Sequence, residues 1–249
     1  MTDDAMDLLN NEPIARKRLV IFFIIDTSGS MYGTKINTVN TAIDETFRDI
    51  RGIGGSDSEI EIAVLTYDTE VKWMYDSPRP LEDIQWTDLT VGGWTDFGRA
   101  LKELDSKLSR NGYMKSASLS FAPVLFLMSD GYPNPGYEAE LDRIKGNKWF
   151  KYALKMAVGI GDDADLDALE QFTGNRETVI HITKQQRLAD FIKFLTITSS
   201  QIGSRSSSFD SDGPISAEEA DASKEKDLAK AIQNYTSVDP SDMELDDGW

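Results

Sequence analysis

Apolar residues cluster along this chain in short runs that alternate between two periods. RLVIFFIID (18–26) is a nearly unbroken apolar run, as expected of a strand buried on both faces. In INTVNTAIDETFRDI (36–50), Ile36, Val39, Ile43, Phe47 and Ile50 recur at spacings of three and four, which is one face of a helix. It ends at the RGIGG turn (51–55). EIEIAVLTYD (59–68) and VKWMYD (71–76) follow as two strands joined by a tight turn at Asp68-Thr69-Glu70.

Beyond a Pro-marked loop at 77–80, FGRALKELDSKLS (97–109) reads as a helix and FAPVLFLMSD (121–130) as a second buried strand. A helix over 137–149, a strand over 151–161, a short helix over 165–172, a strand over 178–182 and a helix over 185–202 complete the series. This alternation predicts a three-layer α/β fold. Its central sheet is mostly parallel with one antiparallel edge strand, and helices cover both faces. Ligands of such sheets bind beyond the carboxyl ends of the strands.

The pattern divides the chain into an N-terminal extension (1–16), one domain (17–202) and an acidic tail (203–249). The tail begins with GSRSSSFDSDGPI and, from Gln201 on, carries twelve acids against four bases. One short helix is expected there, over 217–235. Ser216 and Glu219 form a capping box, and Leu228, Ile232 and Tyr235 share a face. That face is too narrow to fold alone, so the tail is expected to be disordered until its helix orders on a partner.

Composition narrows the function. A formal charge of −17 disfavours binding to nucleic acid or anionic lipid, and leaves basic surfaces, cations and proteins as partners. The absence of cysteine removes disulfides, thiolate metal sites and thiol nucleophiles, and fits a cytoplasmic protein. No apolar run reaches the ~18 residues of a membrane span, and the acidic N-terminus lacks the form of a secretory signal.

The candidate chemistry lies in three loops that this fold brings to one edge: DTSGS (26–30), GGWTDFG (92–98) and SDG (129–131). Asp26, Ser28 and Ser30 stand at alternate positions, which point the same way in an extended segment. With Thr95 and Asp130 they form a set of hard oxygen donors lacking His or Cys, suited to Mg²⁺, Mn²⁺ or Ca²⁺. Neutral hydroxyls with only two carboxylates favour Mg²⁺, which retains several waters.

D-x-S-x-S after a buried strand, T-x-x-G-x-A-L opening a later helix, and S-D-G-x-P closing an apolar strand together resemble the von Willebrand factor A (VWA) domain and its metal-ion-dependent adhesion site (MIDAS). The resemblance spans roughly residues 18–200. More narrowly, LVIFFIIDTSGSMYGTKINTVNTAI, APVLFLMSDGYPNP and LADFIKFLTITSSQI resemble the bacterial TerY-like group of tellurium-resistance and stress-response proteins. The resemblance implies that Ser28, Ser30 and Thr95 ligate the metal directly, while Asp26 and Asp130 hold its waters. It also implies that an Asp or Glu of a partner protein completes the shell. A cytoplasmic scaffold accompanying a Ser/Thr kinase and a PP2C-type phosphatase is the corresponding role. Trp94 departs from the pattern, being bulky where many members have small residues before the Thr.

Competing readings fit less well. A haloacid-dehalogenase-type, Mg²⁺-dependent phosphohydrolase needs a second Asp where Ser28 stands. GSMYGTK (29–35) puts its Gly, Lys and Thr out of register for a phosphate loop. The only histidine, His181, lies within the apolar strand TVIHI, which suits a structural role. An adaptor subunit of an AAA+ machine is a further alternative of the non-catalytic kind. Tyr32, Trp94 and Tyr132 border the three loops and are expected to ring the metal as a binding hot spot. The closing DPSDMELDDGW offers acids of the kind such a site takes, so the tail is a candidate to dock there in cis or in a neighbouring copy, although a solubilising or partner-specific acidic tail is the favoured reading.

Overall fold

The computed structural model describes residues 17–50, 58–114, 118–162, 164–183, 185–203, 217–238 and 243–244. The strands are β1 (Lys17–Asp26), β2 (Ser58–Tyr67), β3 (Val71–Trp73), β4 (Arg79–Pro80), β5 (Val124–Ser129), β6 (Leu154–Ile160), β7 (Val179–Ile182) and β8 (Met243–Glu244). The helices are α1 (Thr34–Ile50), α2 (Phe97–Lys107), α3 (Tyr137–Lys145), α4 (Lys148–Tyr152), α5 (Asp167–Thr173), α6 (Gln185–Gly203) and α7 (Ala217–Val238).

The sheet runs in the order β3-β2-β1-β5-β6-β7-β8. The pairs from β2 through β7 are parallel, and β3 lies antiparallel at one edge. Two-residue strands add short antiparallel pairings, β4 on β2 and β8 on β7. Because side chains alternate along a strand, β1 serves two cores. Leu19, Ile21, Phe23 and Ile25 pack with Val39, Ile43 and Phe47 of α1 and with Leu188, Phe191 and Ile192 of α6. Val20, Phe22 and Ile24 pack on the opposite face with Leu101 and Leu104 of α2, Leu141 of α3 and Phe172 of α5. The three predicted layers follow directly.

The helix expected over 137–149 is instead two helices. Asn147 accepts a hydrogen bond from Trp149 N through its side chain and caps a new helix, α4. Lys151 and Tyr152 therefore belong to α4, and the strand expected from 151 begins at Leu154.

Tail residues 217–238 require a correction of a different kind. The helix forms, and the surface that orders it belongs to this chain rather than to a partner. Leu228 and Ile232 are fully buried in the α1/α6 core. Tyr235 stacks on Phe194, with ring centroids 4.3 Å apart, and also meets Phe191. The narrow apolar stripe suffices because α6 offers a matching aromatic pair, so burial there replaces what the isolated helix lacks. Ser216, the expected cap, lies outside the described residues.

Strand β8 bears on docking of the tail in cis. Met243 pairs with Ile182 and Glu244 with His181, so β8 starts level with the carboxyl end of β7 and runs away from it. It also occupies the sheet edge remote from β1, with β5, β6 and β7 between. The described end of the tail is thus directed away from the strand ends where the candidate loops lie.

Candidate metal centre

Strand register sets the site. Asp26 is level with Tyr67 of β2, and Ile25 is level with Met128 of β5, which brings Ser129 beside Asp26. β1 and β5 are neighbours although α1, β2 to β4 and α2 intervene in sequence. Their carboxyl ends thus flank the point where the sheet reverses its winding, the expected ligand position.

Backbone hydrogen bonds bind the three loops into one unit. Gly92 N donates to Thr27 O at 2.9 Å and Gly29 N to Gly93 O at 3.2 Å, joining the first loop to the second. Asn134 N donates to Thr95 O at 3.0 Å, joining the second to the third. Thr95 stands just before α2, whose N-cap Asp96 accepts from Arg99 N. Met31, fully buried, pins the short 3₁₀ turn Gly29–Met31 that carries Ser30.

Asp26 is the organising group. It is fully buried; its Oδ1 accepts from Ser28 N at 2.8 Å and its Oδ2 from Ser129 Oγ at 2.6 Å. Burial pushes its pKa up to about 6, against hydrogen bonds from Ser129 and Ser28 that pull it down. Asp130 adds a smaller upward push. The charged carboxylate is therefore costly where it sits, and a nearby cation would offset that cost. Ser28 Oγ and Ser30 Oγ lie 3.0 Å apart, Ser28 buried and Ser30 open to solvent. Thr95 and Asp130 are buried.

Asp130 divides its two oxygens. Its Oδ2 accepts from Lys35 Nζ at 3.1 Å, while Oδ1 is buried with no hydrogen-bond partner. A buried carboxylate oxygen without a donor is costly and points to an absent ligand, a bound water or ion. Together with the paired serine hydroxyls and Thr95, this makes an oxygen-only donor set, which fits a hard divalent cation. Among the described residues no group of three or more Asp, Glu or His forms a metal cage. A cation here would depend on hydroxyls.

The positions of Asp26, Ser28, Ser30, Thr95 and Asp130 all fall in these joined loops. Three further residues of the site were not anticipated. Ser129 bridges the carboxylate of Asp26 and the N–H of Gly131, the latter at 2.8 Å. Tyr67 is wholly buried beside Asp26, and burial pushes its phenol well above the usual range. Lys35 reaches Asp130 from the first turn of α1. The position of Ser129 inside S-D-G was the signal for Ser129, whereas Tyr67 carried none until the strand register set it level with Asp26.

Gly131 closes the third loop with φ +81°, and a Cβ there would sit 1.6 Å from Asp165 O. Asp165 N donates to Asp130 O at 2.9 Å, so this contact also holds Asp130. Gly131→Ala is expected to destabilise the protein by about 3–5 kcal/mol, read by chemical denaturation. A cost below about 1 kcal/mol would mean that the loop can relax away from Asp165.

The three aromatics bordering the loops are exposed: Tyr32 at 80%, Trp94 at 74% and Tyr132 at 49%. Trp94 is bulky, yet its backbone is held, its N–H donating to Thr69 Oγ1 at 2.9 Å. The preceding Gly93, at φ +70°, packs so closely on that Thr69 side chain that a Cβ would lie 2.3 Å from its hydroxyl. The glycine absorbs the turn, and the indole is turned outward.

Residues 21–194 match the von Willebrand factor type A domain family, and the chain belongs to that family. Relatives include inter-alpha-trypsin inhibitor heavy chain H2 of Mesocricetus auratus, 27% identical over 206 residues, covering 70% of this chain and 20% of the relative. The chain therefore spans about a fifth of that protein's length. Among solved structures, a von Willebrand factor type A protein from Catenulispora acidiphila shares the fold. Its TM-score is 0.55 at 18% identity, over 74% of this chain and 43% of that one. Proximal thread matrix protein 1 from the mussel byssus, with a zinc-occupied MIDAS motif, has a TM-score of 0.57. It is 22% identical, over 75% of this chain and 48% of that one.

Proposed function

We propose that this chain is a divalent-metal-dependent protein–protein interaction module, in which Ser28, Ser30 and Thr95 ligate the cation and Asp26 and Asp130 hold its waters. The observation that carries this is the buried, partnerless Oδ1 of Asp130 in a loop tied to the paired hydroxyls of Ser28 and Ser30. A divalent cation bound there supplies an electrophilic position open to a carboxylate oxygen. Asp26 fixes the first loop through Ser28 N and the third through Ser129, and so sets the spacing of the donors. With hydroxyls as direct ligands, no protein carboxylate occupies the cation's inner shell, and an Asp or Glu of a partner protein completes it.

The MIDAS motif of the byssus protein accepts zinc. Here the oxygen-only donor set supports Mg²⁺, with Mn²⁺ or Ca²⁺ as substitutes. A binding rather than catalytic role is the reading that membership of the von Willebrand factor type A family supports. Among the described residues no helix is long and apolar enough to cross a membrane. A cytoplasmic scaffold role in a tellurite- or chemical-stress complex, with a Ser/Thr kinase and a PP2C-type phosphatase, rests on the TerY-like sequence stretches alone.

Tyr32, Trp94 and Tyr132 would supply the contact area around the metal. Exposed aromatics of this kind dominate interface energetics. A partner recovered by affinity capture in Mg²⁺ should be lost in EDTA and lost with Asp26→Asn. Trp94→Ala should weaken its binding by about 30-fold, or ~2 kcal/mol, with metal uptake unchanged. Capture that is indifferent to EDTA would refute a metal-dependent interface, and a less than threefold effect at Trp94 would remove the hot spot.

A further inference from the structure

Lys35 stands where a lysine is locally unfavourable. It is the second residue of α1, in the first turn, where the exposed N–H groups and the helix dipole repel a cation. Its ammonium is nonetheless turned inward. The side chain is only 18% exposed, and it pairs at 3.1 Å with Asp130, which is 0% exposed and comes from another loop. The pair uses Oδ2 and leaves Oδ1 to the cation's water. An ammonium and a metal-bound water can therefore share this carboxylate, one on each oxygen.

The charges then decide what the loaded site prefers. Asp26 and Asp130 are the two buried acids of the site, and Lys35 reduces their two negative charges to one. A divalent cation converts that to a single positive charge, which one carboxylate from outside neutralises. Without Lys35 the loaded site would already be neutral, with no net attraction for an acid.

We propose that Lys35 is a specificity-determining residue that weakens cation binding in exchange for a net positive loaded site selective for one carboxylate. This rests on the metal-site reading above and adds to it the charge rule for the partner group. A side chain that merely braced Asp130 would make both cation and acid bind better. The proposal requires the two affinities to move in opposite directions when Lys35 is neutralised.

The test uses Mn²⁺ as probe in the full chain at pH 7.5, followed by water-proton relaxation, with acetate as the acid and acetamide as its uncharged analogue. Lys35→Met is expected to tighten Mn²⁺ binding by on the order of tenfold, because a like charge beside the ion is removed. It should also raise the acetate concentration needed to displace Mn²⁺-bound water by about the same factor. The acetamide response should not change. Lys35→Arg, which keeps the charge, should stay within about threefold of wild type on both readings. If Lys35→Met lost its fold, the charge-retaining variant would still decide the matter. A large fall in Mn²⁺ affinity for Lys35→Arg, with its thermal transition intact, would assign Lys35 a bracing role. Mn²⁺ binding by Lys35→Met that is unchanged or weaker, or an unchanged acetate response, overturns the proposal while leaving the metal site standing. No Mn²⁺ uptake by the wild type overturns the metal site and this inference with it.

Discussion

Asp26→Asn is expected to abolish stabilisation by Mg²⁺ while leaving the protein folded. At a Mg²⁺ concentration of about 100 times its Kd, binding to the native state alone stabilises by ~2.7 kcal/mol. For a domain of this size that is a rise in Tm of roughly 5–10 °C. The asparagine keeps an oxygen for Ser28 N and an amide that can donate to Ser129 Oγ, the two partners of Asp26. It removes a buried charge whose cost shows in the raised pKa. The metal-free variant should therefore melt no lower than the metal-free wild type, and Mg²⁺ should move it by less than about 1 °C. Differential scanning calorimetry with and without EDTA reads both. Equal Mg²⁺ shifts in wild type and variant would remove Asp26 from the site.

The second large effect concerns the tail. Leu228 and Ile232 are fully buried between α7 and the α1/α6 core. Truncating a buried Leu or Ile to Ala costs ~2–5 kcal/mol each, so Leu228→Ala/Ile232→Ala should lose about 5 kcal/mol or more. The expected fall in Tm is roughly 10–20 °C, followed by circular dichroism of the full chain. A tail that is detached in solution would give a change of less than about 1 °C. Mg²⁺ should stabilise this variant by as many kcal/mol as it does the wild type, since α7 packs on the helical layer and not on the loops of the site.

These two regions differ in how far the sequence disclosed them. The site was legible because its chemistry departs from its surroundings. A carboxylate at the end of Ile21–Ile25 and another after Val124–Met128 have no reason to follow buried strands unless something at the sheet edge uses them. Parallel strands then carry both to one edge. Lys35 was not legible, because a lysine in a first helical turn ordinarily extends into water, and its pairing with Asp130 depends on how a distant loop is oriented. Tyr67 was hidden in another way, as one apolar-facing residue in a strand of similar ones until register placed it opposite Asp26.

The docking of α7 marks the limit of pattern reading. A stripe of Leu228, Ile232 and Tyr235 has one appearance whether it meets its own domain or a stranger. The distinction lies in Phe191 and Phe194 of α6, which are three residues apart and so share a helix face. Their periodicity marked a helix without showing that part of its surface was reserved for another. The boundary between α3 and α4 was missed for a smaller reason: Asn147 can sit within a helix or cap one, and only backbone geometry tells which.

The metal site is decided by a crystal of the full chain grown with Mn²⁺, with an anomalous difference map recorded at a wavelength where manganese scatters anomalously. One peak is expected, with Ser28 Oγ, Ser30 Oγ and Thr95 Oγ1 within about 2.0–2.3 Å. Asp26 and Asp130 should be linked to it through waters, and Lys35 should remain on Asp130. An ion bound directly by both carboxylates, or no ion among the three hydroxyls at saturating Mn²⁺, would contradict it.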